Sequence, residues 1–206
     1  MLLFVVNRNN RYYNNFRICK KMKILGLTGL NASGKSTVAQ FLIEKGYKYY
    51  SLSDVVREYA SQKNLDHSRE NLILCGNELR EKFGADVLAK IVLDKIRNEK
   101  PEKVLIDSIR NVYEIETLKN FGNFKIIGLT APANIRFERA LKRKRVGFET
   151  TLEDFINIEK VENSSDPKKQ QLFKCLEMSD IVIDNNGSVE ELKNKLEEVL
   201  KKIGYD

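Results

Sequence analysis

The chain has 206 residues, of which 42% are hydrophobic and 32% charged; that is enough apolar material for one domain with a sizeable core, and too much for wholesale disorder. No apolar run approaches the ~18 residues that span a bilayer, and the opening Met1-Leu2-Leu3-Phe4-Val5-Val6 has no basic residue before it, unlike a secretory signal. The formal charge of +7 does not call for a polyanionic partner, because Arg8, Arg11, Arg17, Lys20 and Lys21 all fall in residues 1–21, leaving 31 of the 36 Lys and Arg to face 29 acids in the remainder.

Residues 1–21 hold no acid and show no clear period, so they read as a non-structural leader, either upstream of a true start at Met22 or a flexible basic arm. Lys23 to Thr28 reads as a buried strand, Ser36 to Lys45 as a helix, and Tyr47 to Ser51 as a second strand. Ser53 is placed to cap a helix running to about Gln62. Helical patterns follow over Ser68 to Lys82 and Ala85 to Asn98, then a strand over Lys103 to Ile106 that ends at Asp107. Tyr113 to Lys119 is helical and Phe124 to Leu129 a strand. Pro132 suits the first turn of the next helix. Thr151 with Asp154, and Ser188 with Glu191, have capping-box spacing, opening helices to about Glu162 and Lys202. Between them come a helix over about Pro167 to Glu177 and a last strand, Ile181 to Ile183.

Strands alternating with helices predict a three-layer α/β domain of the P-loop NTPase kind over residues 22–206: a five-stranded parallel sheet with helices on both faces. The polar, basic stretch over about 136–169 predicts a helical lid. Cys19, Cys75 and Cys175 are odd in number and far apart, the pattern of free thiols in a reducing compartment, and a cytoplasmic protein is expected. The one histidine, His67, stands just before a predicted helix and reads as a surface residue, so no Ser-His or Cys-His pair is offered.

Gly29-Leu30-Asn31-Ala32-Ser33-Gly34-Lys35-Ser36 matches G-x-x-x-x-G-K-S with a strand before it and a helix after it. Gly29 and Gly34 allow backbone angles closed to other residues. The amides of Asn31, Ala32, Ser33, Ser36 and Thr37 can then point at phosphate oxygens beneath a helix N-terminus. Lys35 is assigned to the β- and γ-phosphates of ATP and Ser36 to Mg²⁺. Asp107, closing the strand Val104-Leu105-Ile106-Asp107, is assigned to the metal side.

No Asn/Thr-Lys-x-Asp motif is present and Asp107-Ser108-Ile109-Arg110 is not D-x-x-G, which argues against a GTPase. A small kinase fits better, since phosphoryl transfer between two anions needs cations over both. Arg57, Arg80 and Arg110 are candidates for the acceptor, and Arg136, Arg139 and Arg143 lie three and four apart on one helix, with Arg145 beyond, where a water-excluding lid would sit.

On these residues the chain resembles dephospho-coenzyme A kinase and its relatives in the wider nucleoside-monophosphate-kinase group. The likeness covers about residues 23–203 and rests on Leu27-Thr28-Gly29 through Ser36-Thr37, on Arg57, on Pro132 with Arg139 and Arg143, and on Ile183-Asp184-Asn185-Asn186-Gly187-Ser188. It implies that Arg139 and Arg143 close over the transferring phosphate and that Asn185 and Gly187 lie near the adenine. The family's Asp-x-Asp after the second strand is replaced by Ser51 and Ser53, with Asp54 one step on as the candidate base, and the middle segment from Arg69 to Leu88 lacks the family's His-Pro. Dephospho-coenzyme A is the first acceptor expected. A nucleoside monophosphate, which needs no base, is the alternative, and a slow ATP-dependent switch protein is a third reading. A nucleic-acid role would rest only on the leader and on Lys142-Arg143-Lys144-Arg145. A monomer is expected.

Overall fold

The computed structural model describes residues 22–143 and 151–205. The elements run β1 (Lys23–Gly29), α1 (Lys35–Glu44), β2 (Lys48–Ser51), α2 (Leu52–Gln62), α3 (Arg69–Phe83), α4 (Val87–Glu99), β3 (Lys103–Asp107), α5 (Val112–Lys119), β4 (Phe124–Thr130), α6 (Ala133–Lys142), α7 (Leu152–Glu162), α8 (Leu172–Glu177), β5 (Ile181–Asp184) and α9 (Val189–Ile203). Residues 1–21, Lys144 and Arg145 lie outside the described residues.

The strands form one five-stranded parallel sheet, as expected, and their order is β2-β3-β1-β4-β5. The period of two along each strand sends alternate side chains into two cores. Ile24, Val104, Ile106 and Ile126 pack on one face with Leu52, Val55, Leu79, Val92 and Ile115. Leu25, Leu27, Leu105, Ile127 and Leu129 pack on the other with Val38, Leu42, Leu192 and Leu196. The end of the chain is tied to the same sheet: Tyr47 Oη donates to the Tyr205 carbonyl at 2.5 Å, and Tyr205 Oη donates to the Asn123 carbonyl at 2.6 Å.

From β1 the chain builds β2 and β3 on one side and then β4 and β5 on the other. The loop after β1 therefore stands where the winding reverses, the place where open α/β sheets form their ligand crevice.

Several element boundaries depart from the sequence reading. Helix α2 follows β2 without a loop, so its cap is Ser51 and not Ser53: Ser51 Oγ accepts from Ser53 N at 3.3 Å. Pro132 occupies the N-cap of α6 and Arg143 its C-cap, one step beyond the helix. Residues 167–171 do not join α8. Asn111 Nδ2 donates to the carbonyls of Pro167 (2.6 Å) and Lys169 (2.8 Å), and Gln171 N donates to the Arg110 carbonyl (2.7 Å), which holds that stretch in a turn. A complete capping box sits at Asn111 and Glu114, opening α5.

Candidate active site

The loop after β1 has the left-handed angles that its glycines permit, with φ of 144° at Gly29 and 107° at Gly34; Ala32 adopts 56°. A Cβ on Gly29 would lie 2.3 Å from the Leu129 carbonyl oxygen, and one on Gly34 would lie 2.3 Å from Asn185 Nδ2, so neither position admits a side chain without displacement. Helix α1 begins at this loop with Gly34 as N-cap and no side-chain cap, so the cap residue's side chain accepts none of its first N–H groups. Ser33 Oγ is buried, and among the described residues it has no hydrogen-bond partner. Glycines at the tight points, an uncapped helix start and an orphaned buried hydroxyl suit a bound polyphosphate. Lys35 Nζ is folded onto the loop, donating to the carbonyls of Gly29 (2.8 Å) and Leu30 (2.7 Å).

Asp107 ends β3, the strand beside β1. Its Oδ1 accepts from Ser108 N at 2.5 Å and its Oδ2 from Tyr49 Oη at 3.1 Å. Burial, with the Asp107 charge second, pushes the Tyr49 phenol up to about 12. Ser36 is exposed at the start of α1. A serine hydroxyl and a carboxylate are oxygen ligands of the kind Mg²⁺ takes.

Beside the loop lies a cavity of about 320 Å³ lined by Arg57, Arg69, Arg80 and Arg110, with Asn31 of the phosphate loop at its border. Leu52, Val56, Leu72, Ile73 and Leu88 form its apolar wall, and among the described residues no carboxylate lines it. Arg57, Arg80 and Arg110, proposed from sequence for the acceptor, are thus brought together. Arg69, His67 and Gln170 join them, and these three were missed as site residues. Arg69 opens α3 as the first residue after its Ser68 cap, a position carrying no signal of what it faces. His67 is on the surface as expected, pairing its Nε2 with Ser61 Oγ at 2.8 Å.

The arginines are held in different ways. Arg80 is 4% exposed and binds the fully buried Glu114 through Nη2 (2.9 Å) and Nε (3.3 Å). The other oxygen of Glu114 accepts from the backbone N–H of Arg110 (2.9 Å) and Asn111 (3.1 Å). Arg110 Nη1 donates to Gln170 Oε1 at 3.1 Å. Arg57 Nη1 donates to Ser53 Oγ (2.8 Å) and pairs with Asp54 Oδ1 (2.6 Å), and Asp54 itself is not among the lining residues. The hydroxyl of Ser51 joins those of Ser53 (2.9 Å) and Ser108 (3.2 Å), which line the cavity; Ser51 and Ser53 stand where the resembled family has its two aspartates.

The arginines of α6 do not form one stripe. Arg136 is 4% exposed; it pairs with Glu159 of α7, donates to the Ala131 (2.8 Å) and Asn31 (3.3 Å) carbonyls, and lies over the Phe155 ring. That makes it a brace between α6, α7 and the phosphate loop. Arg139 spans the carbonyls of Asn185 (3.1 Å) and Gly187 (3.3 Å), and Arg143 is exposed. Asn185, 5% exposed, donates its side-chain amide to the Ser33 carbonyl at 2.9 Å, so this residue clasps the phosphate loop. Cys75 and Cys175 are buried free thiols; Cys19 lies outside the described residues. Among the described residues no helix is long and apolar enough to cross a membrane.

A five-stranded parallel sheet carrying a glycine-bounded phosphate loop on its central strand defines a P-loop NTPase. Residues 25–155 match the family described as an AAA domain, and the chain belongs to that family. It is 35% identical over 184 residues to a UPF0200 protein of Sulfurisphaera tokodaii, an alignment covering 88% of this chain and 98% of that one. It is 36% identical over 187 residues to a UPF0200/UPF0201 protein of Archaeoglobus fulgidus, covering 89% of this chain but 56% of the relative's length. The fold superposes on a crystal structure of shikimate kinase from Bacteroides thetaiotaomicron with a TM-score of 0.55, over 87% of this chain and 99% of that one at 14% identity, which is a likeness of fold. The resemblance read from the sequence holds at this level, a kinase-like P-loop fold.

Proposed function

We propose that the protein is a phosphotransferase that moves the γ-phosphoryl of ATP to a small anionic acceptor in the presence of Mg²⁺. One observation carries the reading: the phosphate loop opens, at Asn31, onto a cavity lined, among the described residues, by four arginines and no carboxylate. A switch protein has no use for a second cationic pocket beside its nucleotide; a kinase must neutralise both partners of the transfer.

In this reading the loop amides and the N-terminus of α1 hold the donor phosphates. Lys35 leaves the carbonyls of Gly29 and Leu30 to neutralise the β- and γ-oxygens. Ser36 and Asp107 would hold Mg²⁺, which when bound offsets the charge that develops on the phosphates. Arg57, Arg80 and Arg110, with Arg69, orient the acceptor. Residues 136–169 serve as the lid, with Arg139 and Arg143 as its cations, and they exclude the water that would otherwise take the phosphoryl group. Asn185 and Gly187 frame the nucleotide-side loop. Dephospho-coenzyme A and the nucleoside monophosphates are the acceptors to be separated.

The test is ATP consumption by the full chain with Mg²⁺, with and without acceptors, using Lys35→Ala and chelation of the metal as controls. Acceptor-stimulated turnover that both controls abolish supports the reading. ATP binding without stimulation by any acceptor overturns it in favour of a switch.

A further inference from the structure

Resting on the reading of the arginine-lined cavity as the acceptor site, we infer that Gly76 of α3 determines its specificity. The side chain that Gly76 lacks leaves a notch in the helix, and Nη1 of Arg80, at the base of that notch, holds an oxyanion of the ligand there.

Gly76 is buried in the interior of α3 and lines the cavity. A glycine inside a helix destabilises it relative to alanine, because it gives up more chain entropy on folding. Its backbone does not call for that cost, since Gly76 lacks the positive φ of Gly29 and Gly34. Packing against α2 does not call for it either. A Cβ on Gly76 would lie 3.8 and 3.9 Å from the two methyls of Val56, which is ordinary van der Waals contact. The atom that opposes a Cβ is Arg80 Nη1, at 3.3 Å.

Arg80 stands one turn further along α3. Helix side chains lean towards the N-terminus, which carries the guanidinium over Gly76. It has little freedom to step aside: Arg80 is 4% exposed, and Glu114 Oε1 takes both its Nη2 (2.9 Å) and its Nε (3.3 Å). This grip occupies one edge of the guanidinium and leaves Nη1 on the other, beside Gly76. The guanidinium is charged at every pH at which the protein folds, and its N–H groups pair best with anionic oxygens. A methyl at position 76 would press on a cation that cannot retreat, and it would fill the space in front of it. Glycine keeps Nη1 in place and keeps it open. Val56 walls the same notch with methyl groups, so the oxyanion held there stands next to an apolar part of the ligand.

The test fills the nucleotide site of the full chain with Mg²⁺ and a non-hydrolysable ATP analogue. Inorganic phosphate and, separately, acetate are then titrated by calorimetry, which distinguishes a phosphoryl from a carboxyl group at the notch. Binding of at least one of the two is expected. Gly76→Ala and Arg80→Lys should each weaken it about 10–100-fold, the scale of one charged hydrogen bond. The double variant should lose no more than the worse single one, because both changes act on one contact. In the unaltered protein the anion should also shift the guanidinium NMR signal that Arg80→Lys lacks, and this shift decides alone if Gly76→Ala does not fold. Binding of neither anion, undiminished binding in Gly76→Ala, additive losses or an unshifted Arg80 signal each overturns the inference. Those results leave the kinase reading standing; that reading fails separately, when no acceptor stimulates ATP turnover in the unaltered protein.

Discussion

Arg80 and Glu114 form a buried ion pair, Nη2 to Oε1 at 2.9 Å, in which the cation lines the cavity and the anion also receives the backbone N–H groups of Arg110 and Asn111. One carboxylate thus fixes one arginine of the pocket by its side chain and a second by its backbone. Removing one partner of such a pair leaves an uncompensated buried charge. Glu114→Ala should therefore cost about 3–5 kcal/mol in urea unfolding. Arg80→Met with Glu114→Gln, which removes both charges and keeps an acceptor for the amides, should recover much of that stability while acceptor affinity stays low. If the double variant is as unstable as Glu114→Ala, charge burial is not the cause.

Asn185 makes a second testable clasp. Its amide bonds the carbonyl of the fully buried Ser33. Asn185→Ala leaves that acceptor unmet at an expected cost of about 1–3 kcal/mol, and nucleotide affinity should fall with it. Asn185→Asp should be worse than Ala, because a carboxylate would face the Ser33 carbonyl. Denaturant melts and ATP titrations of the two variants check the order.

Lys35→Ala should lower turnover by about 100–1,000-fold, the scale of losing one preorganised donor at a developing charge. The fold should survive, because the ammonium bonds the Gly29 and Leu30 carbonyls within the loop itself. Circular dichroism that matches the unaltered protein, beside lost turnover, is the expected pair of results.

Tyr49 gives a pH prediction with a definite sign. Its folded-state pKa is raised from 10.0 to about 12, first by burial and then by Asp107. A raised tyrosine contributes stability that is fully present below pH 10.0 and is lost as pH rises towards about 12. Tyr49→Phe should therefore flatten part of the alkaline limb of the stability curve between these values. An unchanged limb would show that this phenol does not titrate in the window.

The local parts of the design were legible in the sequence. Gly29 to Ser36 could be read because the phosphate loop is a matter of spacing within eight residues, and the five strands because alternation and flanking turns are local. Burial of one arginine beside an exposed one was not. Arg136, Arg139 and Arg143 look alike along α6, and what separates them is Glu159 and Phe155 on α7 for the first and the Asn185–Gly187 carbonyls for the second. Arg69 and Gln170 reach the cavity from distant segments, with nothing in their neighbours to announce it. The spacing of Asn111 and Glu114 has the form of a capping box, a signal the sequence reading passed over. The added role of Glu114 depends on Arg80, 34 residues earlier in the chain.

The position of β1 in the sheet has a mechanical consequence. It is hydrogen-bonded on both sides, to β3 and to β4, whereas β2 and β5 are edges. Its amides should be among the slowest in the molecule to exchange with deuterium, and those of the edge strands faster. The glycine-bounded loop is mounted on the central strand, while Ser51, Ser53 and Arg57 hang from edge strand β2 and the helix that follows it. On the proposed reading, donor and acceptor sit on one fixed jaw and one that can give, so strain imposed by a bound acceptor should be absorbed on the β2 side and leave the phosphate loop in register.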